Sequence, residues 1–198
     1  CPPGGNKNID CPVPISSSAF HILDVTIMEK VSGLLGLSDD QAYYARLLHQ
    51  LKAGFISHFY DPGTGSFGSS QTANIMALDM KIVPKGRERS VCMEILKNIR
   101  EEHDGFLNTG IFGLARVFKV LSENGYETEV YRLLTWTGNN SFANMWDSFD
   151  VTTLWEALPT NVESGSTYSG SMSHPMQAGF DSWFFSGIAG IQPMEEGP

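Results

Sequence analysis

The residues best placed to do chemistry are Thr152-Thr153-Leu154-Trp155-Glu156, followed after a polar, glycine-rich stretch by Ser173-His174-Pro175-Met176. A carboxylate fused to an indole, with a histidine across a loop, is a set suited to a sugar. The apolar face of a sugar ring stacks on aromatic surface and its hydroxyls take hydrogen bonds, while a positioned carboxylate can move a proton. On this reading the chemistry sits on Glu156. The same residues also have plainer readings: a Glu beside a Trp is an ordinary surface pair, and a His before a Pro can cap a helix.

The elements that must position them are helical. Residues 1–15 are rich in Pro, Gly and Asn without periodicity, which predicts an entry arm, and 16–198 is expected to form one α-helical portion. Ser16-Ser17-Ser18 offers N-caps to a first helix with Ala19, Ile22, Leu23, Ile27, Val31, Leu34 and Leu35 at three-to-four spacing, closing at Gly36. Ser38-Asp39-Asp40-Gln41 has the form of a capping box and opens a second helix, along Ala42, Ala45, Leu48, Leu51, Phe55 and Phe59, that Asp61-Pro62-Gly63 ends. A short helix is predicted over about Ser70 to Ile82. Pro84 opens another, with Val91, Ile95 and Ile99 inward and a solvated face of Arg87, Glu88, Glu94, Lys97 and Arg100. Further helices run from Ile111 to Asn124-Gly125, from Glu127 to about Trp136, and from Pro175 through Phe180, Trp183 and Ile188. Residues 138–151 read as a long loop. About seven helices with short turns and almost no alternating pattern predict an all-α architecture of helical hairpins.

Composition narrows the partners. A formal charge of -9 and a pI near 4.9 argue against nucleic acid or an anionic membrane surface, which an acidic protein repels. No apolar run approaches the ~20 residues needed to span a bilayer. Cys1, Cys11 and Cys92 have no metal-ligand spacing and read as free thiols, although a Cys1–Cys11 bridge stays open. The five histidines are scattered without the spacing of a tetrahedral site, so no metal or other cofactor is expected, while a calcium site built from loop carboxylates stays open. The opening Cys1-Pro2-Pro3-Gly4-Gly5 is neither a signal peptide nor an initiator segment, which suggests a start inside a longer product and leaves the compartment undecided.

Several motifs occur in one order: Gln71-Thr72-Ala73, Phe106-Leu107-Asn108-Thr109-Gly110, Leu121-Ser122-Glu123-Asn124-Gly125-Tyr126, the Thr-Thr-Leu-Trp-Glu stretch, and Ser173-His174-Pro175-Met176 through Trp183 to Ala189-Gly190-Ile191. Together they resemble the catalytic domain of family 78 glycoside hydrolases, the bacterial α-L-rhamnosidases, over most of the chain from Ser16 onward. The resemblance implies an (α/α)6 barrel, six helical hairpins in two concentric rings around a sugar pocket. It implies that Glu156 is the general base, that His174 contacts substrate, and that the partner is a rhamnose-containing glycoside. The mechanism implied is inverting: an acid protonates the departing oxygen while a base ~6.5–9.5 Å away deprotonates a water on the opposite face of the ring. Trp155 is then an aromatic wall of the pocket or a core residue. Trp146, Asp147 and Asp150 line its mouth or a solvated loop.

Three departures accompany the resemblance. Ser173 stands where the family has Asn before the histidine, and Phe142 where it often has Trp. The family's general acid belongs to an Asp-Cys-Pro-x-Arg-x-Glu segment; Asp10-Cys11-Pro12 repeats its start, but Val13-Pro14-Ile15-Ser16 supplies neither the Arg nor the Glu. Twelve helices of ~11 to 12 residues with their connections need well over ~200 residues. The expectation is therefore an incomplete barrel, inactive by itself, that self-associates or meets a missing N-terminal half. Two other readings remain at this point: another (α/α)6-barrel glycosidase or phosphorylase, and a non-catalytic helical module that binds sugar or protein.

Overall fold

A computed structural model of the chain describes residues 11–138, 141–149, 151–156 and 170–192. Among these residues there is no strand, and seven α-helices have eight residues or more: α1 Val13–Leu34, α2 Ser38–Phe59, α3 Gln71–Asp79, α4 Glu88–Lys97, α5 Ile111–Glu123, α6 Glu127–Thr135 and α7 Phe142–Phe149. They fall into two compact units, Cys11–Ile95 and the described residues from Leu96 onward.

In the first unit α1 and α2 form the expected hairpin, with different details. Helix α1 begins at Val13 rather than at the serines, because Pro14 fits a first-turn position, where a missing N–H costs no helical bond. Its buried stripe is Ile15, Ala19, Ile22, Val25 and Ser32, whereas Ile27, Val31, Leu34 and Leu35 are exposed. The turn closes as a Schellman-type cap: Gly36 takes φ +71°, and the Leu37 N–H reaches back to Ser32 O at 2.9 Å. The capping box of α2 does not form. Leu37 occupies the cap, and Gln41 instead donates to Glu29 Oε1 at 3.1 Å, joining the two helices. Helix α3 is buried all round from Gln71 to Leu78, with Ser70 Oγ accepting from the Ala73 N–H. Helix α4 starts at Glu88 rather than Pro84, because Gly86 at φ +80° breaks the winding in between. On α4, Cys92 is fully buried. Burial, and then the Glu88 carboxylate, pushes its thiol up to about 11, so it acts as an apolar packing residue.

The second unit carries the Glu156 and His174 segments. Helix α4 runs into a π turn, Asn98–Glu102, in which the Asn98 amide donates to Glu102 Oε2 at 2.7 Å. Helix α5 is amphipathic and buries Leu114, Val117, Phe118, Val120 and Leu121. It ends at Glu123, ahead of Gly125 at φ +84°; there the Tyr126 N–H returns to Leu121 O, and α6 folds back with Val130, Leu133 and Leu134 inward. Residues 142–149, expected as loop, form α7. The Ser141 hydroxyl accepts from the Asn144 N–H at 3.0 Å as an N-cap, and buried Phe142 and Met145 supply a helical face that the neighbouring Gly and Asn residues conceal in sequence. The helix expected from Pro175 is three tighter and looser turns in succession: a 3-10 turn Pro175–Phe180, one α turn Asp181–Trp183 and a π turn Phe184–Ile188. Gly179 and Gly187 weaken regular helix there.

Gly179 also permits a close approach. A Cβ at this position would stand 2.5 Å from Ala115 Cα on α5, a backbone atom that cannot swing aside. Gly179→Ala is therefore expected to cost about 1–3 kcal/mol by overpacking. Chemical denaturation with the m-value unchanged measures this, and a neutral effect contradicts the close packing.

A charged cluster ties α6 to the turn after the π segment. Arg132 Nε donates to Glu129 Oε2 at 3.0 Å, Arg100 donates to Glu129 Oε1, and Arg132 Nη1 donates to Gly105 O at 3.3 Å. Partial burial opposes ionisation of Glu129, but the two guanidinium groups outweigh it and hold the carboxyl below its ordinary value. A depressed carboxyl stabilises the fold above its unfolded value, near ~4.3, and that contribution is lost as pH falls through the folded value. The stability difference between the wild type and Glu129→Gln should accordingly be largest near neutral pH and shrink below about pH 4. Melting curves across that range decide, and a constant difference sinks the assignment.

Candidate active site

Residues 157–169 lie outside the described residues, and the segments on either side of them pair. The Glu156 N–H donates to Ser171 O at 2.9 Å, the His174 N–H donates to Leu154 O at 2.7 Å, and the Thr153 hydroxyl donates to Met172 O. Leu154 thus lies opposite His174, and Glu156 opposite Ser171, in an antiparallel clamp that satisfies backbone groups where no helix can. This clamp brings the glutamate and histidine motifs, some eighteen positions apart (174 − 156), into one substructure.

Glu156 is half-buried, and its Oε2 accepts from the Ser171 N–H at 3.3 Å. One carboxylate oxygen is thus held by the backbone, and the other has no donor among the described residues. His174 is half-buried, with Nε2 buried and without a hydrogen-bond partner among the described residues. Its side chain makes no capping bond to the turn that Pro175 opens.

Trp155 is 8% exposed, with its ring tilted against Phe149 at 5.6 Å, so the indole packs inward beside the clamp. Trp146 and Asp147 sit on α7 and are exposed. Trp146 stacks on Phe142 at 6.0 Å and meets the edge of Phe180 at 6.1 Å, which links α7 to the turn that follows His174. Asp150 lies outside the described residues, as do Cys1 and Asp10.

Two residues that the motifs do not single out hold the clamp. Ser171 contributes both its N–H and its carbonyl to Glu156. Gln177, 3% exposed, donates from Nε2 to the Glu156 carbonyl, while its own N–H donates to His174 O at 3.0 Å. The signal for Gln177 is its place three residues after His174, in the turn that Pro175 opens, a spacing that puts two residues on one face of a helical turn. Among the described residues no group of three His, Cys, Asp or Glu gathers as a metal site, and no helix is long and apolar enough to cross a membrane.

Helical hairpins with a clamped glutamate and histidine define the class: an all-α hairpin scaffold with its candidate chemistry on the connections between helices. Residues 5–188 match the family model of the bacterial alpha-L-rhamnosidase 6 hairpin glycosidase domain, and the chain belongs to this family. It is 28% identical over 203 residues to the alpha-L-rhamnosidase of Formosa agariphila, covering 97% of this chain and 21% of that protein. It is 27% identical over 201 residues to that of Alteromonas sp. (strain LOR), covering 98% and 21%. The chain thus spans about a fifth of the length of the curated relatives it matches. The solved alpha-L-rhamnosidase from Dictyoglumus thermophilum superposes with TM-score 0.82 at 30% identity, over 94% of this chain and 21% of that one. The Aspergillus terreus enzyme superposes with TM-score 0.86 at 21% identity, over 95% and 22%, a likeness of fold alone. The architecture is that of the hairpins of an (α/α)6 barrel, of which this chain covers part.

Proposed function

We propose that this chain supplies the base-bearing part of an inverting α-L-rhamnosidase, a hydrolase of terminal L-rhamnose in glycosides. The observation that carries this reading is the clamp. It holds Glu156 with one carboxylate oxygen tied to the Ser171 N–H and the other without a donor among the described residues, a geometry suited to taking a proton from water. His174 brings to the same clamp a ring nitrogen without a protein partner among the described residues, the kind of group that takes a sugar hydroxyl. Trp146, 40% exposed, offers an indole face for stacking, and Asp147 beside it offers an acceptor for a hydroxyl. Trp155 packs on Phe149 and buries its indole next to Glu156.

The reaction is assigned to the complete protein, because an inverting site needs an acid opposite the base and a pocket closed to water. These 198 residues alone are expected not to turn over an aryl α-L-rhamnoside. The test on the complete protein is the anomeric form of the first product. Water attacking opposite the leaving group gives β-L-rhamnose first, visible by proton NMR before mutarotation. Initial release of the α anomer would overturn the inverting role of Glu156.

A further inference from the structure

We propose that Gln177 is a positioning residue for Glu156: its buried amide fastens the Glu156 carbonyl to the turn that carries His174. The inference rests on the reading of Glu156 as the base. Three observations lead to it. The Gln177 amide donates to the Glu156 carbonyl from a site only 3% exposed, where solvent competes little for the bond. The Gln177 backbone N–H donates to His174 O at 3.0 Å, so one residue is bonded to both motif residues. The Gln177 Oε1 is buried with no hydrogen-bond partner among the described residues, where only the donor half of this amide is in use.

The energetic consequence separates position from stability. An unsatisfied buried acceptor costs about 1–3 kcal/mol, and an apolar residue of similar length would exchange one such acceptor, Gln177 Oε1, for another, the Glu156 carbonyl, while losing one hydrogen bond. Stability should therefore change little when Gln177 becomes Leu. What is lost is the second of two backbone ties on Glu156. The N–H remains on Ser171 O at 2.9 Å, but the carbonyl, and with it the peptide plane that aims the side chain, is released. A general base must lie within hydrogen-bond reach of the proton it takes, and a shift of about an ångström can cost up to ~10²-fold in rate.

The experiment compares Gln177→Leu, Gln177→Glu and Glu156→Gln in the complete enzyme on an aryl α-L-rhamnoside. Gln177→Leu should lower kcat by about tenfold or more with KM within about twofold, since the bond orients the base and does not touch substrate. Gln177→Glu carries its own control. A protonated carboxyl can donate to the Glu156 carbonyl and an ionised one cannot, so activity should be retained at low pH and fall as pH rises. That descending limb would be absent from the wild type and set above the ordinary ~4.3 by burial. A role confined to packing would give no such limb. Wild-type kcat in Gln177→Leu, or a Gln177→Glu profile parallel to the wild type, overturns the inference. Should Gln177→Leu fail to fold, the pH profile of Gln177→Glu decides alone. Near-normal turnover by Glu156→Gln removes the base reading and this inference with it, whereas an inactive Glu156→Gln beside a fully active Gln177→Leu overturns only the positioning role.

Discussion

Glu156→Gln in the complete enzyme should lower kcat by at least ~10²-fold while leaving KM and thermal stability close to those of the wild type. The substitution is nearly isosteric. Its amide oxygen can still accept the Ser171 N–H that now reaches Oε2 at 3.3 Å, and the backbone bonds to Ser171 and from Gln177 do not involve the changed atoms. Half-buried and unpaired with any cation among the described residues, the carboxylate contributes no ion pair to the fold. The change therefore removes little but basicity. An amide cannot accept a proton from water at neutral pH, so the step lost is activation of the nucleophile, which belongs to the transition state rather than to substrate binding. A loss confined to kcat is the signature of such an interaction, and a rise in KM at constant kcat would instead make Glu156 a binding residue. Retained turnover would place the base elsewhere.

How far the sequence reaches is seen by comparing α5 with α7. Along α5 the apolar residues Leu114, Val117, Phe118 and Leu121 recur at helical spacing between a Gly-bounded start and the Asn124-Gly125 stop, and all four are buried. Period and punctuation agree there. In α7 the same kind of face, Phe142 and Met145, is preceded by Gly138-Asn139-Asn140-Ser141, whose turn propensity outweighs eight residues of pattern. The decisive bond, Asn144 N–H to Ser141 Oγ, is a cap that is recognised only once the helix is suspected. Helix α1 shows a different limit. Its apolar residues outnumber one face: Ala19 and Ile22 of the expected stripe are buried, together with Ile15 and Val25, whereas Ile27, Val31, Leu34 and Leu35, which periodicity alone also admits, are exposed.

The candidate site is legible in the same uneven way. The Trp-Glu and His-Pro motifs stand out because carboxylate, indole and imidazole carry recognisable chemistry. Their juxtaposition does not stand out, since it is made by backbone bonds between Leu154–Glu156 and Ser171–His174 that any residues could form. Ser171 acts through its peptide group and leaves no trace in side-chain chemistry. Gln177 acts through an amide whose meaning appears only when its burial is known.

Phe180→Ala should be the most damaging substitution for the fold of the second unit, at about 3–5 kcal/mol. The ring is 8% exposed and stands at the centre of an aromatic cluster: Phe142 at 4.8 Å, Phe184 at 6.0 Å, Trp146 at 6.1 Å and Phe118 at 6.3 Å. All four contacts are edge-to-face, the arrangement that adds ~0.5–1.5 kcal/mol per pair beyond burial, and truncation forfeits them together. The surrounding elements cannot easily collapse into the space. Phe118 and Phe142 are held in α5 and α7, and the turn bearing Phe180 is already in backbone contact with Ala115 at Gly179. Phe180→Leu fills most of the volume and should cost distinctly less, so the pair separates cavity formation from loss of ring geometry. Phe180 also ends the turn that opens after His174 and contains Gln177. Measured at a temperature where Phe180→Ala remains folded, kcat should still fall, because the anchor of the clamp is loosened while Glu156 itself is untouched. A variant that loses less than about 1 kcal/mol, or that keeps full kcat, would mean that the cluster neither holds the unit together nor fixes the clamp.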